Sequence, residues 1–342
     1  MLKTANKIFF ALGLILSAGL ITGCGDESSS VINSQELLNV SYDPTREFYV
    51  NYNEKFNEYW SRDLGNDRLS IIQSHDGSAN QSRIVINGAE ADVVTLALAY
   101  DIDEIQRAGL IDEGWQNEFP ENSTPYTSTI VFLVRKGNSK NIHDWDDLTR
   151  DDVSVVTTNP ASSGCARWSY LAAWEYARRK FNGDENQILN FMKNLFDNIL
   201  VLDSSARGAT TSFVQRGQGD VLVSFENEAL LSIKESPDDF EIVAPSLSIL
   251  VEPSVAIVDK VADKKGTRAI AQEYLSYLYS DAGQEIAAKN FYRPCNPEIF
   301  AEHESQFSQV NLFTLKEAFG DWTSAHQKHF SEGGTFEQIT RK

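Results

Sequence analysis

The stretch from Leu37 to Thr45, LLNVSYDPT, joins a short apolar run to a strong helix start. The residues up to Tyr42 predict a buried strand, and Asp43 at the helix N-cap with Pro44 at the first helical position predicts a helix directly after it. Aromatic residues then recur at helical spacing, namely Phe48, Tyr49, Tyr52, Phe56, Tyr59 and Trp60. A strand that leads at once into such a helix is typical of α/β proteins.

The same strand, turn and helix order recurs along the chain, with no repeat of the solenoid kind. It predicts an α/β protein with parallel sheets, in which two lobes are joined by extended crossovers. Further strands are predicted over 69–74, 91–97, 127–136, 153–158, 199–203 and 221–225, and late helices over 268–279, 282–289 and 315–330.

The N-terminal residues have the features of an export signal. Two lysines precede an apolar run from Ile8 to Ile21, and the small residues Thr22 and Gly23 lead to Cys24. This order resembles a bacterial lipobox, so we predict a signal peptide over 1–23, acylation of Cys24 and a flexible tether over 24–34. The protein is then an exported, membrane-anchored lipoprotein of the periplasm. The alternative is an ordinary signal peptide with an incidental cysteine.

The charge of the chain limits its partners. The formal net charge is −19, and removal of the two lysines with a signal peptide makes it about −21. Nucleic acid is not an expected partner, because binding a phosphate backbone requires a basic face and the sequence has no Lys/Arg cluster. Besides Cys24 the chain has only Cys165 and Cys295, and sequence alone leaves open whether they are free or bridged.

Four predicted turns between a strand and a helix share one chemistry. Each has a small or hydroxyl residue where the helix starts, and the first N–H groups of a helix have no partner within it. The helix dipole also favours negative charge there, so each turn is a candidate anion site. The alternative is that each turn only caps its helix. The four turns are Asp43-Pro44-Thr45, Gly77-Ser78-Ala79, Ser163-Gly164-Cys165 and Ser205-Ala206-Arg207.

These same residues carry a resemblance to the bacterial periplasmic sulfate- and thiosulfate-binding proteins, the solute-binding components of ABC importers. The resemblance covers nearly all of the chain after the tether. It rests on the stretch 37–46, on Gln73-Ser74-His75, on 91–95, on Asn159-Pro160 with Ser162-Ser163-Gly164 and Ala166-Arg167, on Arg207-Gly208, and on 290–294.

The resemblance implies a two-lobed periplasmic-binding-protein fold of type II, with the ligand in the cleft between the lobes. We expect lobe 1 to comprise 35–115 and 228–342, and lobe 2 to comprise 116–227. The implied ligand is a dehydrated sulfate or thiosulfate anion, and the implied partners are the permease subunits of the importer. No cofactor, metal or catalytic residue is implied.

The resemblance also assigns the binding residues one by one. The backbone donors are those of Asp43, Ser78, Gly164, Cys165 and Ala206, and Ser163 adds its hydroxyl. Cys165 stands where glycine is usual, and its N–H remains available. Phe225 stands where sulfate binders have a tryptophan donor, and phenylalanine here is similar to thiosulfate-binding relatives. Asp76 also replaces a glycine, and nothing in the sequence explains that change.

Other interpretations of these residues are less well supported. An enzyme could use Ser163 or Cys165, but no G-x-S-x-G elbow and no neighbouring histidine accompanies them. A phosphate or molybdate carrier remains a second alternative. His326 and His329 have helical spacing, but two histidines without further ligands predict a solvated face, not a metal site.

Overall fold

The computed structural model describes residues 36–341, and the predicted signal peptide, Cys24 and tether lie outside these residues. The described chain has twelve strands: β1 (Glu36–Tyr42), β2 (Ser70–Asp76), β3 (Val93–Leu96), β4 (Tyr126–Arg135), β5 (Val155–Thr158), β6 (Ile199–Asp203), β7 (Val221–Phe225), β8 (Phe240–Val243), β9 (Leu247–Val251), β10 (Ser254–Ile257), β11 (Arg293–Pro294) and β12 (Asn311–Phe313).

The helices of the first half are α1 (Arg46–Arg62), α2 (Ser78–Ile86), α3 (Ala99–Arg107), the single turn α4 (Pro120–Ser123), α5 (Gly164–Lys180) and α6 (Glu185–Asp197). The second half has α7 (Ala206–Thr210), α8 (Glu226–Glu235), α9 (Asp259–Lys265), α10 (Arg268–Tyr277), α11 (Asp281–Lys289), α12 (Pro297–His303), α13 (Leu315–Phe319), α14 (Trp322–His329) and α15 (Thr335–Thr340).

The strands form two sheets. The smaller sheet has the order β10-β3-β1-β2, in which β1 runs parallel to β2 and β3 while β10 is antiparallel. The larger sheet has the order β12-β9-β4-β7-β5-β6, and β8 and β11 also pair with β4. The sheets are therefore mixed, whereas the sequence predicted parallel sheets. In the larger sheet the cause is the long strand β4, which runs antiparallel to β7, β8, β9 and β11. In the smaller sheet the cause is β10, which runs antiparallel to β3.

Sheet pairing also divides the chain differently from the expected lobes. The expectation assigned all of 228–342 to lobe 1, yet β8, β9 and β12 belong to the larger sheet with β4. Their register is set by long-range pairs such as Phe132 with Val243 and Ser128 with Val251, which no local pattern indicates. Only β10, of the strands after residue 228, returns to the smaller sheet.

Aromatic side chains of α1 form a large part of the core. Phe48, Tyr49, Tyr52 and Phe56 are all nearly or fully buried, and Phe56 packs edge to face with Tyr274 of α10 at a centroid distance of 5.0 Å. Burying large aromatic rings supplies much of the hydrophobic stabilisation of a domain. Trp168 and Trp174 of α5 are also buried.

The segment 315–330 differs from its predicted single helix. It forms α13 and α14, which are separated at Gly320, where φ is 81°. The Asp321 carboxylate accepts a hydrogen bond from the Ser324 N–H at 2.7 Å and so starts α14 anew. Among the helices at 36–341, none combines the length and apolar character that crossing a membrane requires.

Candidate functional site

The turns selected from the sequence all follow the carboxyl ends of strands. Asp43 follows β1 and Ser78 follows β2 in the smaller sheet, whereas Ser163 follows β5 and Ala206 follows β6 in the larger sheet. Ser78, Gly164 and Ala206 are the first residues of α2, α5 and α7. Their N–H groups therefore have no acceptor within their own helices.

The turns of the two sheets contact one another. The Ala79 N–H donates to the Ser162 carbonyl oxygen over 3.2 Å, and the Ser162 hydroxyl donates to the Ser204 carbonyl oxygen over 2.7 Å. A Cβ atom placed on Gly164 would lie 3.4 Å from the Ser78 Cβ. The turns before α2, α5 and α7 thus lie close together where the two sheets meet.

Asp43 reaches the turn before α7 through its carboxylate. Its Oδ2 accepts the Arg207 N–H at 2.8 Å, and the side chain is only 3% exposed. Burial, with a smaller contribution from Glu228, raises the pKa of Asp43 to about 6, although the Arg207 amide and the Ser205 hydroxyl lower it. A carboxyl group that titrates near neutrality therefore lies beside the Ala206 amide.

Two of the three arginines beside the turns lie near carboxylates. Arg207 forms a bidentate ion pair with Glu47, in which both N···O distances are 2.8 Å, and a second ion pair with Glu228. Arg167 is buried, with its Nη1 3.7 Å from Asp101 Oδ1. Arg46 instead donates to the His75 carbonyl oxygen at 3.0 Å.

Asp101 also supports the start of α2. The Ser78 hydroxyl donates to Asp101 Oδ2 at 2.6 Å and accepts the Ala97 N–H at 3.1 Å. These two bonds fix the Ser78 side chain and leave its main-chain N–H for another partner. No local pattern indicates Asp101, because its bond to Ser78 spans 23 residues of the chain.

Ser163 is the N-cap residue of α5, yet its side chain makes no capping hydrogen bond. It is only 3% exposed. Hydroxyls at this position usually accept an N–H of the first helical turn. The Ser163 hydroxyl is therefore free to serve a group other than its own helix.

Cys165 and Phe225 lie next to each other behind the turns. The Cys165 thiol is buried, is near the Phe225 amide and the hydroxyls of Ser169 and Thr158, and has a pKa raised by burial to about 12. A protonated, buried thiol is a poor nucleophile, so the chemistry here does not favour covalent catalysis. Both Cys165 and Cys295 are free.

Phe225 ends β7 and is 1% exposed. Its ring meets the Tyr42 ring edge to face at a centroid distance of 6.1 Å, so it connects the larger sheet to the end of β1. A phenyl ring offers no hydrogen bond at this place. Several predicted site residues are therefore neighbours in space. Ser78 lies beside Gly164, and Cys165 lies beside Phe225. Phe225 contacts Tyr42, and Asp43 contacts the Ser205–Arg207 turn.

A cavity of about 350 Å³ opens beside the turns that contain Asp43 and Ser205. Its wall includes His75, whose pKa burial lowers to about 4, so its imidazole is neutral at physiological pH. Other wall residues are Asp43, Arg46, Asp76, Ser205 and Arg207. Asp76 thus lies in the wall of this cavity, and its Oδ1 accepts the Gly77 N–H at 2.7 Å.

The two histidines near the C-terminus lie apart from these turns. His329 is buried and bonds to the Tyr170 hydroxyl over 3.2 Å, so the predicted solvated face is wrong for this residue. The His329 ring packs on Trp174, a contact that the spacing of the two histidines along the helix does not predict. Across residues 36–341 no cluster of three or more His, Cys, Asp or Glu side chains could hold a metal ion.

Two α/β sheets whose helix-starting turns face each other across a shared space define the class of two-lobed ligand-binding proteins. The chain belongs to the bacterial extracellular solute-binding proteins, because the model of that family matches residues 51–293. Members of this family bind solutes, and the role of this protein is solute binding.

Individual relatives are similar over most of the chain. A sulfate-binding protein of Escherichia coli is 58% identical over 308 residues, which are 90% of this chain and 93% of the relative. A thiosulfate-binding protein of Pseudomonas aeruginosa is 48% identical over 95% of this chain and 96% of the relative.

A solved structure agrees with the fold. The sulfate-binding protein SubI of Mycobacterium tuberculosis superimposes with a TM-score of 0.78 at 30% identity, over 87% of this chain and all of that one. The predicted α/β periplasmic-binding-protein fold is confirmed.

Proposed function

We propose that the protein binds sulfate between two lobes and delivers it to an ABC importer. One arrangement carries this proposal: the first N–H groups of α2, α5 and α7 have no acceptor within their helices, the Ser163 hydroxyl caps no helix, and the turns that hold them contact one another. Main-chain amides and a hydroxyl suit an anion that is fully ionised and has no proton to donate. The relatives named for sulfate support the same ligand.

In this proposal the main-chain donors are those of Asp43, Ser78, Gly164, Cys165 and Ala206. The Ser163 hydroxyl donates one more hydrogen bond, and the Phe225 ring faces the remaining side of the anion. Each bond to a charged group is worth roughly 1.5–3 kcal/mol. Six of them total roughly 9–18 kcal/mol, which is of the order needed for micromolar binding at roughly 8 kcal/mol once the costs of association are included.

The lobes are proposed to follow the two sheets. The smaller sheet and its helices would form one lobe and the larger sheet the other, with crossovers between β3 and β4, between β9 and β10, and between β10 and β11. The anion would then bind between them and be fully removed from water. Catalysis is not part of the proposal, because the buried Cys165 thiol is protonated and the relatives are binding proteins.

Thiosulfate is the second candidate, and Phe225 is the observation that favours it. A phenyl ring supplies no donor to a sulfate oxygen, whereas the larger and softer terminal sulfur of thiosulfate needs none. The relative named for thiosulfate, at 48% identity, supports keeping this candidate.

Calorimetric titration of a protein that starts at residue 25 tests both candidates. We expect tight binding of sulfate or thiosulfate and much weaker binding of phosphate and molybdate. Tight binding of phosphate alone, or turnover of a sulfate ester, would contradict the proposal.

We also propose that Cys24 is acylated and holds the exported protein at a membrane near its permease partner. Wild type should then fractionate with membranes, and Cys24→Ser should be released as a soluble protein. If the two proteins fractionate identically, the lipid anchor is wrong, although solute binding would stand.

A further inference from the structure

Gly77 lies between β2 and α2 and has an ordinary backbone conformation, with φ −58° and ψ 140°. Any residue adopts these angles, so conformational freedom is not the reason for glycine here. Glycine is needed here because there is no room for a Cβ atom. A Cβ atom on Gly77 would lie 2.5 Å from the Ser162 carbonyl oxygen and 2.9 Å from the Ser204 carbonyl oxygen.

Both obstructing atoms belong to the main chain of turns that follow strands of the larger sheet. The Ser162 oxygen accepts the Ala79 N–H at 3.2 Å, and the Ser162 N–H donates to the Asn159 oxygen at 3.1 Å. The Ser204 oxygen is held by the Ser162 hydroxyl at 2.7 Å. Because these atoms are fixed by backbone and side-chain bonds, they cannot move aside as a flexible side chain would.

Gly164 repeats this close approach from the other side. A Cβ atom there would lie 2.6 Å from the Ala97 Cβ and 3.2 Å from the Leu98 Cγ, both in the segment after β3. A glycine therefore allows close approach at two points, against main-chain oxygens at Gly77 and against side-chain carbons at Gly164. The points flank Ser78, whose N–H is a proposed anion donor.

We propose that Gly77 sets the closest approach of the two lobes and thereby the size of anion that the cleft accepts. This inference rests on the proposed function, since it takes the cleft as the anion site. Contact of Gly77 with the Ser162 and Ser204 carbonyls stops closure at a fixed separation. A methyl group at residue 77 would hold the turns apart by roughly 1 Å, since carbon and oxygen pack at about 3.5 Å.

Such a displacement has unequal effects on different anions. Hydrogen bonds weaken steeply when they lengthen by that amount, so a compact anion such as sulfate loses contact with one lobe. A larger tetrahedral oxyanion such as molybdate reaches further and keeps more of its bonds. The wider cleft should therefore shift preference toward the larger anion.

Titration of Gly77→Ala with sulfate and with molybdate tests the inference. We expect at least tenfold weaker sulfate binding, a smaller loss for molybdate, and an unchanged melting temperature without ligand, because alanine tolerates this backbone conformation. Ile84→Ala is a matched control on the same helix, with a 40% exposed side chain. It should leave both affinities unchanged.

Unchanged sulfate affinity in Gly77→Ala, or equal losses for both anions, would overturn the inference. A crystal structure of Gly77→Ala tests the inference without any ligand measurement. The Ala79 N to Ser162 O distance of 3.2 Å should lengthen, and its retention would also overturn the inference. By contrast, failure of wild type to bind sulfate at all would contradict the proposed function.

Discussion

At the scale of single residues, we expect Phe225 to distinguish the two proposed ligands, sulfate and thiosulfate. Its buried ring lies between the end of β7 and Tyr42, where a tryptophan indole could donate a hydrogen bond. A buried oxygen left without a partner costs roughly 1–3 kcal/mol.

We therefore expect Phe225→Trp to tighten sulfate relative to thiosulfate by about 1–3 kcal/mol. Paired titrations of wild type and variant with both anions measure the ratio. Phe225→Leu, which also lacks a donor, controls for a change of ring packing and should leave the ratio unchanged. A constant ratio in the tryptophan variant would mean that residue 225 does not discriminate.

Asp43 introduces a pH dependence that the main-chain donors alone would not have. The sequence assigned it only a backbone N–H, and by that reasoning affinity would be flat between about pH 5 and 8, where sulfate stays a dianion. The structure adds a buried carboxyl whose pKa is about 6, facing Glu228 on α8 and Arg207 on α7. Glu47 on α1 pairs with the same arginine, and His75 on β2 stays neutral in this range.

Sulfate should consequently bind roughly tenfold more tightly at pH 5 than at pH 8, because a protonated Asp43 no longer repels the anion. Asp43→Asn keeps the main-chain N–H and removes the charge, so its affinity profile should be flat. Titrations at four pH values in constant salt compare the two proteins. A flat wild-type profile would show that the Asp43 carboxyl and the anion do not interact.

The same carboxyl affects folding stability with a definite sign. The pKa in the folded state, about 6, exceeds the ordinary value of 3.8, so ionised Asp43 lowers the free energy of unfolding. The stability contributed by the protonated form is complete below about pH 4 and is lost as pH rises to about 6. The difference in unfolding free energy between wild type and Asp43→Asn should change in that window.

At the scale of elements, strand-to-helix turns were predictable because their signals are local. Ser78 begins α2 as expected. The prediction of Asp43 at an N-cap is wrong: Tyr42 is the N-cap of a short turn before α1, and the Asp43 carboxylate bonds to the Arg207 N–H instead. The predicted bounds of β6 and β7 match the structure. The long C-terminal helix was wrong, because the period of its apolar residues continues across Gly320 although the backbone does not.

The break at Gly320 leads to a stability prediction. Asp321→Ala removes the side-chain bond to the Ser324 N–H, and the loss of an N-cap costs about 1 kcal/mol. Thermal unfolding should occur a few degrees lower. Sulfate affinity should change little, because Asp321 is exposed and its side chain bonds only within α14. Glu332→Ala, which removes an exposed acid that caps no helix, is the control. Equal melting temperatures for the two variants would contradict the capping role.

At the scale of the whole molecule, the contacts between the two sets of turns describe a closed cleft. An anion bound by both lobes can favour this form only by its differential affinity for it. Closure would also remove the anion from water and strengthen each hydrogen bond to it.

Addition of sulfate should therefore make the protein more compact in solution scattering. The radius of gyration should fall on saturation with sulfate and stay constant with an equal ionic strength of chloride. Gly77→Ala should show a smaller change. An unchanged radius in wild type with saturating sulfate would leave binding between two moving lobes unsupported.

The sequence by itself determined the strand, turn and helix units and the residues at which anion-binding amides can occur. These depend on patterns within a few residues, such as the apolar run and Asp43-Pro44. Resemblance to a family then gave the expected fold, which the comparisons confirm.

Only the tertiary structure decided how those units meet. In the tertiary structure β8, β9 and β12 join the larger sheet, and His329 is buried. The Asp43 carboxylate accepts the Arg207 N–H across 164 residues of the chain. Gly77 packs against two carbonyl oxygens of the opposite turns. Local patterns do not encode such contacts, because pairing and steric fit depend on segments far apart in the chain. The helix starts that offer free amides were thus predictable, whereas the carboxylates and the close main-chain contact beside them were not.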